Sequence, residues 1–274
     1  MAPAPSAEAA SPEAPFAERI LVLAPHPDDE VVGVGMFIED AVRRGCNVRI
    51  AFLTDGVPET ETLWPWQRKY RARRAALRWR EAAQVQRALG FEIALEQNLP
   101  TRTLRLHLAS TYQLLESVLR RDQIECVWAP AYEGGHQDHD TANFLASLLA
   151  RTVPVWEFSE YHFAHRRITC NQFIEPHGAE CILPLNEAQR ARKRQLLKSY
   201  HSERGNLGYV TVFEEQMRPL PVYDYTSPPH LGRTFYQRFQ WVPGHPRIDY
   251  TTPLEVSQSL ARFALEDARN CGAG

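Results

Sequence analysis

The feature that constrains this chain most is an alternation. Short apolar runs are followed, repeatedly, by stretches of helical spacing with few residues between them. "RILVLAP" (19–25) is an apolar run stopped by proline and reads as a buried strand. From Glu30 the pattern changes to "EVVGVGMFIEDAVRRG", helical in spacing and closed by Gly45, with Arg43 and Arg44 in the last turn. "NVRIAFLTDG" (47–56) is a second strand running into a turn, and "WQRKYRARRAALRWREAAQVQRALG" a long helix that ends at Gly90. A strand in "FEIALEQNLP", a helix over 104–121, a strand over 124–130, a helix in "DTANFLASLLA" and a strand in "VPVWEFSEY" continue the series. Parallel strands need a crossover, usually a helix and right-handed. The expected fold class is therefore α/β: a Rossmann-like, doubly wound, mostly parallel sheet flanked by helices.

Beyond residue 160 the alternation weakens. "NEAQRARKRQLLKSYHSE" predicts a helix, while 208–250 is rich in Pro, Tyr and Phe and predicts short strands and loops forming a C-terminal extension that covers the ligand end of the sheet. Residues 1–17, almost all Ala, Pro, Ser and Glu, predict a flexible leader, since they cannot bury enough surface to offset their ordering entropy. They have neither the basic start nor the apolar run of a secretory signal. Residues 18–274 then form a single domain, with 160–274 shaping the substrate side.

Composition narrows the function classes. A formal net charge of −2 gives no overall attraction to nucleic acid or anionic membrane. No apolar run approaches the roughly 20 residues of a membrane span. The five cysteines, Cys46, Cys126, Cys170, Cys181 and Cys271, are scattered, with no CxxC spacing. That argues against a disulfide framework or a Cys-type zinc site and for a cytoplasmic protein, with Cys46 and Cys126 as buried thiols.

Two acidic-histidine clusters stand at strand ends that turn into helix starts, where ligands of such sheets gather. The first, "PHPDDE", holds His26, Asp28, Asp29 and Glu30; the second, "GGHQDHD", holds His136, Asp138 and His139. A catalytic zinc takes three N or O protein ligands and leaves a fourth position open. Two histidines and one carboxylate from these clusters satisfy that, and the same donors suit other divalent transition metals. A metal-activated water attacking an amide carbonyl also needs a base and a donor facing the oxyanion. The spare carboxylate and spare histidine fit those needs. Neither cluster is complete alone.

These two motifs, with "LTDG" after the second strand, resemble the PIG-L/LmbE family of metal-dependent de-N-acetylases over residues 20–150. The resemblance implies that His26, Asp29 and His139 bind the metal, and that Asp28 is the general base that deprotonates the attacking water. It implies that His136 stabilises the oxyanion and can protonate the leaving amine, that Asp138 orients His136, and that Glu30 supports the ligands from behind. Arg78 resembles a family arginine that reaches toward substrate. The Asp-Gly pair that many relatives carry after the third strand is missing from "EQNLPTRTL", which puts the sugar contacts in doubt. Relatives often form homo-oligomers, and a homo-oligomer stays open here.

Simpler readings exist for several features. Gly33 and Gly35 suggest a dinucleotide GxG, but the full GxGxxG is absent. The basic run "RKYRARRAALRWR" reads as a solvated helix face before a nucleic-acid patch; its inner end could also attract an anionic substrate. His201 and His230 are candidate site-lining, substrate-binding residues. Trp64, Trp66, Tyr223, Tyr225, Phe235 and Tyr236 are candidates for a sugar platform, with core packing as the alternative.

The sequence thus predicts a zinc-type amidohydrolase that removes an N-acetyl group from an N-acetylglucosamine-type amino-sugar conjugate and releases acetate. The alternatives are an amidase on another acyl or thiol-conjugate amide, and a nonenzymatic sugar- or nucleotide-binding protein with a vestigial site. The expected partner is the small-molecule conjugate, with no nucleic acid and no membrane span.

Overall fold

A computed structural model describes residues 15–271, and side chains to residue 269. Strands β1 (Arg19–Ala24), β2 (Asn47–Phe52), β3 (Glu92–Glu96), β4 (Cys126–Pro130) and β5 (Val155–Phe158) are parallel. They alternate with helices α1 (Asp29–Arg43), α2 (Pro65–Arg68), α3 (Arg71–Leu89), α4 (Leu108–Arg121) and α5 (Gln137–Leu149). The expected fold class is the one observed.

The extension contributes the hairpin β6 (Tyr161–His162) and β7 (Thr169–Cys170), strand β8 (Cys181–Pro184), helix α6 (Glu187–Ser199), strand β9 (Glu214–Pro219) and helix α7 (Pro253–Cys271). β9 and β8 add antiparallel to the β5 edge, giving the order β3-β2-β1-β4-β5-β9-β8. The long helix expected over 66–90 is two, α2 and α3, and α3 ends at Gly90 with φ 82°, the left-handed stop that glycine provides.

The sheet is buried on both faces, so its central strands are apolar throughout rather than alternating. Ile20 and Val22 of β1 pack with Phe37, Phe52, Trp128 and Phe158 on one face. Leu21 and Leu23 pack with Leu115, Val127, Phe144 and Leu260 on the other. Each such side chain is worth roughly 1.5–3 kcal/mol when fully buried. The core also takes in the end of the expected leader. Residues 1–14 lie outside the described residues, but Phe16 packs edge-on to Trp128 at 6.2 Å, and the Trp128 indole donates to Pro15 O at 2.9 Å. Cys126 is buried as expected, whereas Cys46 is only partly covered. Among the described residues no helix is long and apolar enough to cross a membrane.

α1 is broken at Val34 (φ −138°). Groups from the extension take up the freed backbone: Lys193 Nζ and Asn171 Nδ2 donate to Val32 O at 2.9 and 2.8 Å, and the Glu215 carboxylate accepts from Met36 and Phe37 N–H at 3.0 Å. The extension therefore sets the course of the helix whose first turn carries Asp29 and Glu30.

Candidate metal centre and active site

β1 and β4 are neighbours, with Ile20 opposite Cys126, although β2 and β3 intervene in sequence. Their carboxyl ends meet where the strand order reverses, the place where open α/β sheets leave a crevice. One loop leaves β1 and enters α1 through His26–Asp28; the other leaves β4 and enters α5 through His136. The two clusters become one site. The His26 ring lies 4.6 Å from that of His136 and 5.3 Å from that of His139, centroid to centroid.

Two triads bring ligand atoms close enough to share a cation: His26, Asp29 and His139, and His26, His136 and Asp138. The hydrogen bonds decide between them. Asp138 Oδ2 already accepts from Thr101 Oγ1 at 2.9 Å and Arg102 N at 2.7 Å and lies 3.0 Å from His26 Nε2; Oδ1 accepts from Leu104 N at 3.3 Å. Little of that carboxylate remains for a cation. Asp29 Oδ2 takes one backbone donor, His26 N at 2.7 Å, and sits 3.0 Å from His26 Nδ1 and 3.3 Å from His139 Nε2; His139 Nε2 is buried with no hydrogen-bond partner among the described residues. A buried nitrogen of this kind is costly unless something else occupies it. His26, Asp29 and His139 therefore fit a divalent ion.

The electrostatics agree. Burial opposes the charge on His26, but Asp29 and Asp138 on either side hold it protonated up to about 10. The proton stands where the surrounding carboxylates call for a cation. Burial also raises Asp29, yet His139 and His26 outweigh it and hold the carboxyl well below its usual value.

Asp28 has the strained backbone of the site, φ 137° and ψ −26°. Its N–H donates to Glu30 Oε2 at 3.0 Å, and Glu30 in turn takes the Tyr200 hydroxyl. Glu30 is fully buried and pushed up to about 7 by that burial. Its carboxylate accepts from the backbone of the turn that carries Asp28. The Asp28 carboxyl is raised well above its usual value by burial, with Arg78 opposing the rise.

Several expectations change. Asp138 does not orient His136 through its carboxylate, which points to His26; their closest approach is 3.6 Å. Instead His136 caps α5, and its Nδ1 accepts from Asp138 N at 3.1 Å. That follows from the N-cap position, where a backbone N–H two residues on faces the cap side chain. With Nδ1 accepting, a neutral ring carries its proton on Nε2, and burial, aided by His26, keeps the ring neutral by lowering it well below 6.5.

Arg78 is 4% exposed and turned onto the protein rather than outward. It holds Asp28, Pro27 O and Gly56 O, and Glu203 at 2.6 Å. Gly56 of "LTDG" (φ 68°) has to be glycine here, because a Cβ would lie 2.5 Å from Arg78 Cζ. His201 is exposed; its neighbours Ser202 and Glu203 turn inward, to Glu81 and Arg78. His230 accepts from Gly232 N within its own loop, and Pro229 of that loop packs over Gly134.

Of the candidate platform residues, Tyr223 and Tyr225 bind Glu157 and Asn143 beneath the site, and Tyr236 is buried. Trp64 and Trp66 stack at 5.3 Å, with Trp66 64% exposed. Phe235 lies 4.6 Å from Tyr161, which lies 5.3 Å from His139.

Three residues have no signal in the sequence: Thr101 and Glu203, which contact Asp138 and Arg78, and Glu160, which approaches His139. Each is a lone polar residue outside any motif.

The family model described as PIG-L: GlcNAc-PI de-N-acetylase matches residues 21–150. Over these residues, just under half of the chain, the sequence is similar to that family. No curated protein sequence matches it. Among solved structures, the chain resembles the deacetylase of teicoplanin biosynthesis at 17% identity, TM-score 0.59, over 73% of this chain and 97% of that one. N,N'-diacetylchitobiose deacetylase from Pyrococcus horikoshii is similar at 19% identity, TM-score 0.50, over 78% and 86%. GalB, a 4-carboxy-2-hydroxymuconate hydratase from Pseudomonas putida, is similar at 18% identity, TM-score 0.50, over 76% and 98%. One fold thus carries two reaction types among these neighbours, so activity must be argued from the site.

Proposed function

We propose that this protein is a divalent-metal-dependent de-N-acetylase acting on an N-acetylglucosamine-type amino-sugar conjugate and releasing acetate. The observation that carries the reading is the division of labour among the six clustered residues. Three fit a cation, Asp28 stands beside them unliganded, and His136 offers a free Nε2–H. When bound, a zinc or similar ion supplies the Lewis acidity that acidifies a water and polarises the acetyl carbonyl.

Asp28 takes the proton from the attacking water. Burial raises its carboxyl above the usual value, which strengthens it as a proton acceptor, and the Arg78 guanidinium opposes that rise. His136 Nε2–H faces the oxygen on which charge develops. Asp138 holds His26 by its carboxylate and His136 by its backbone, linking both halves of the site.

A cavity of about 410 Å³ opens beside the site, with Thr101, Arg102, His245 and Tyr250 in its wall. Thr101 joins it to His26, and the stacked Trp64–Trp66 pair lies by His245, with Trp64 6.2 Å from that ring. Room and an aromatic face beside the chemistry support a conjugate rather than a free small amide. The zinc assignment rests on the donor set, which suits other first-row ions as well.

The test is acetate release with zinc supplied, across N-acetylglucosamine, diacetylchitobiose, UDP-N-acetylglucosamine and N-acetylglucosaminyl-inositol, with Asp28→Asn as control. Release lost by a factor of ~10²–10⁴ in the control, while zinc stays bound, supports the reading. Zinc bound but no release from any of them would discard the substrate class. Absence of zinc binding would turn the reading toward a binding protein.

A further inference from the structure

His26 shows how this site sets a ligand histidine. Its Nδ1 faces Asp29 and its Nε2 faces the Asp138 carboxylate, each at 3.0 Å. An imidazole that binds a cation through one nitrogen carries its proton on the other, and a carboxylate there fixes the tautomer and the ring plane. His139 is flanked by carboxylates in the same way with its nitrogens exchanged, at longer range. Nε2 lies 3.3 Å from Asp29, and Nδ1 lies 3.7 Å from Glu160 Oε2, a small side-chain rotation short of a hydrogen bond.

Glu160 is 3% exposed, and neither of its carboxyl oxygens has a hydrogen-bond partner among the described residues. Such a group is a liability to folding unless it has something to meet. Its position is nonetheless built. Asn171 N donates to Glu160 O at 2.8 Å, while the Asn171 side chain reaches Val32 O of α1. Gly33, inside α1, leaves the space: a Cβ there would lie 2.4 Å from the Phe158 ring and 3.0 Å from Glu160 Cγ. The pair of glycines that suggests a nucleotide loop in the sequence contributes, at Gly33, to bringing the end of β5 against the helix that carries Asp29.

We propose that Glu160 is a positioning residue for the metal centre: its carboxylate accepts the His139 Nδ1 proton, leaving the Nε2 lone pair for the cation. Asp138 does the same for His26, so each ligand histidine has its own carboxylate. Unlike Asp138, Glu160 accepts from no other donor among the described residues, and its role is specific to the loaded site. This inference rests on the ligand set of the proposed function.

The test is zinc affinity of the apo protein, by competition with a chromophoric chelator, together with apo thermal stability. Glu160→Gln keeps the volume and removes the anion; Glu160→Ala removes both; Glu160→Asp restores the anion on a shorter arm. The expected result is a 10–100-fold weaker zinc Kd in Glu160→Gln and Glu160→Ala, partial recovery in Glu160→Asp, and no loss of apo stability in Glu160→Gln. Zinc affinity within twofold of wild type in Glu160→Gln overturns the proposal, including where Glu160→Ala alone is weakened, because that pattern means space-filling. If wild type binds no zinc, or His139→Ala binds it equally well, the ligand set itself is wrong and the inference falls with it.

Discussion

Arg78 Nη2 donates to Asp28 Oδ1 at 3.1 Å and to Pro27 O at 2.6 Å, so one guanidinium holds both the carboxyl and the backbone of the most strained turn in the site. Its other arm pairs with Glu203 from the extension. The proposed base, the first βα loop, α3 and the extension are thereby joined through one side chain.

Removing that guanidinium takes a positive charge from beside Asp28, and the Asp28 carboxyl rises further. A base must be unprotonated, so the acidic limb of the rate profile should move to higher pH. Arg78→Met is expected to lower kcat/KM by roughly 10²-fold near neutrality and less at alkaline pH, with zinc content unchanged. Acetate release measured against pH checks this. An unshifted acidic limb would show that Arg78 acts on something other than Asp28.

His136 and His139 are three residues apart, but the proposed function gives them different work. His136→Ala should reduce turnover by about 10²–10³-fold and leave the zinc Kd unchanged, because His136 is outside the favoured ligand triad. His139→Ala should lose tight zinc binding. Equal loss of zinc from both variants would favour the other triad, with Asp138 as a ligand.

Lys193 and Glu215 are both fully buried and pair at 2.8 Å where α1 breaks. Removing one partner of such a pair leaves an uncompensated buried charge. Lys193→Met is expected to cost about 3–5 kcal/mol in urea unfolding, and Lys193→Met combined with Glu215→Leu less than the sum of the two single changes. Strict additivity would show that the pair is not coupled.

Glu133 lies beneath the site among Glu157, Arg218 and Ser159, and burial, with Glu157 adding to it, pushes it up to about 8. Its folded value is thus above its unfolded value of about 4.5. The folded state holds the proton over that interval, so this contribution is fully present below about pH 4.5 and is lost as pH rises to 8. Glu133→Gln should flatten the decline in stability between pH 5 and 8. Chemical denaturation at three pH values decides it; a slope as steep as that of wild type would place the titration elsewhere.

Much of this was legible in the sequence. The apolar runs and helical spacings determined the α/β class, because secondary-structure period and burial on both faces of a parallel sheet are local properties. "PHPDDE" and "GGHQDHD" marked the candidate ligands, because closely spaced charges beside apolar strands are tolerated only where something pairs with them. The partners of those ligands were not legible. That β1 lies beside β4, so that two motifs more than a hundred residues apart become one site, is a matter of strand order. Asp138 serving His26, Arg78 turned onto Asp28, and Lys193 and Glu215 mending a helix are pairings across elements. Glu160, a single glutamate in "FSEYHF", has no sequence pattern at all. It becomes visible only when the fold buries it, with no hydrogen-bond partner among the described residues, against a histidine, since the cost of an unpaired polar group arises from burial, and burial is decided by the tertiary structure.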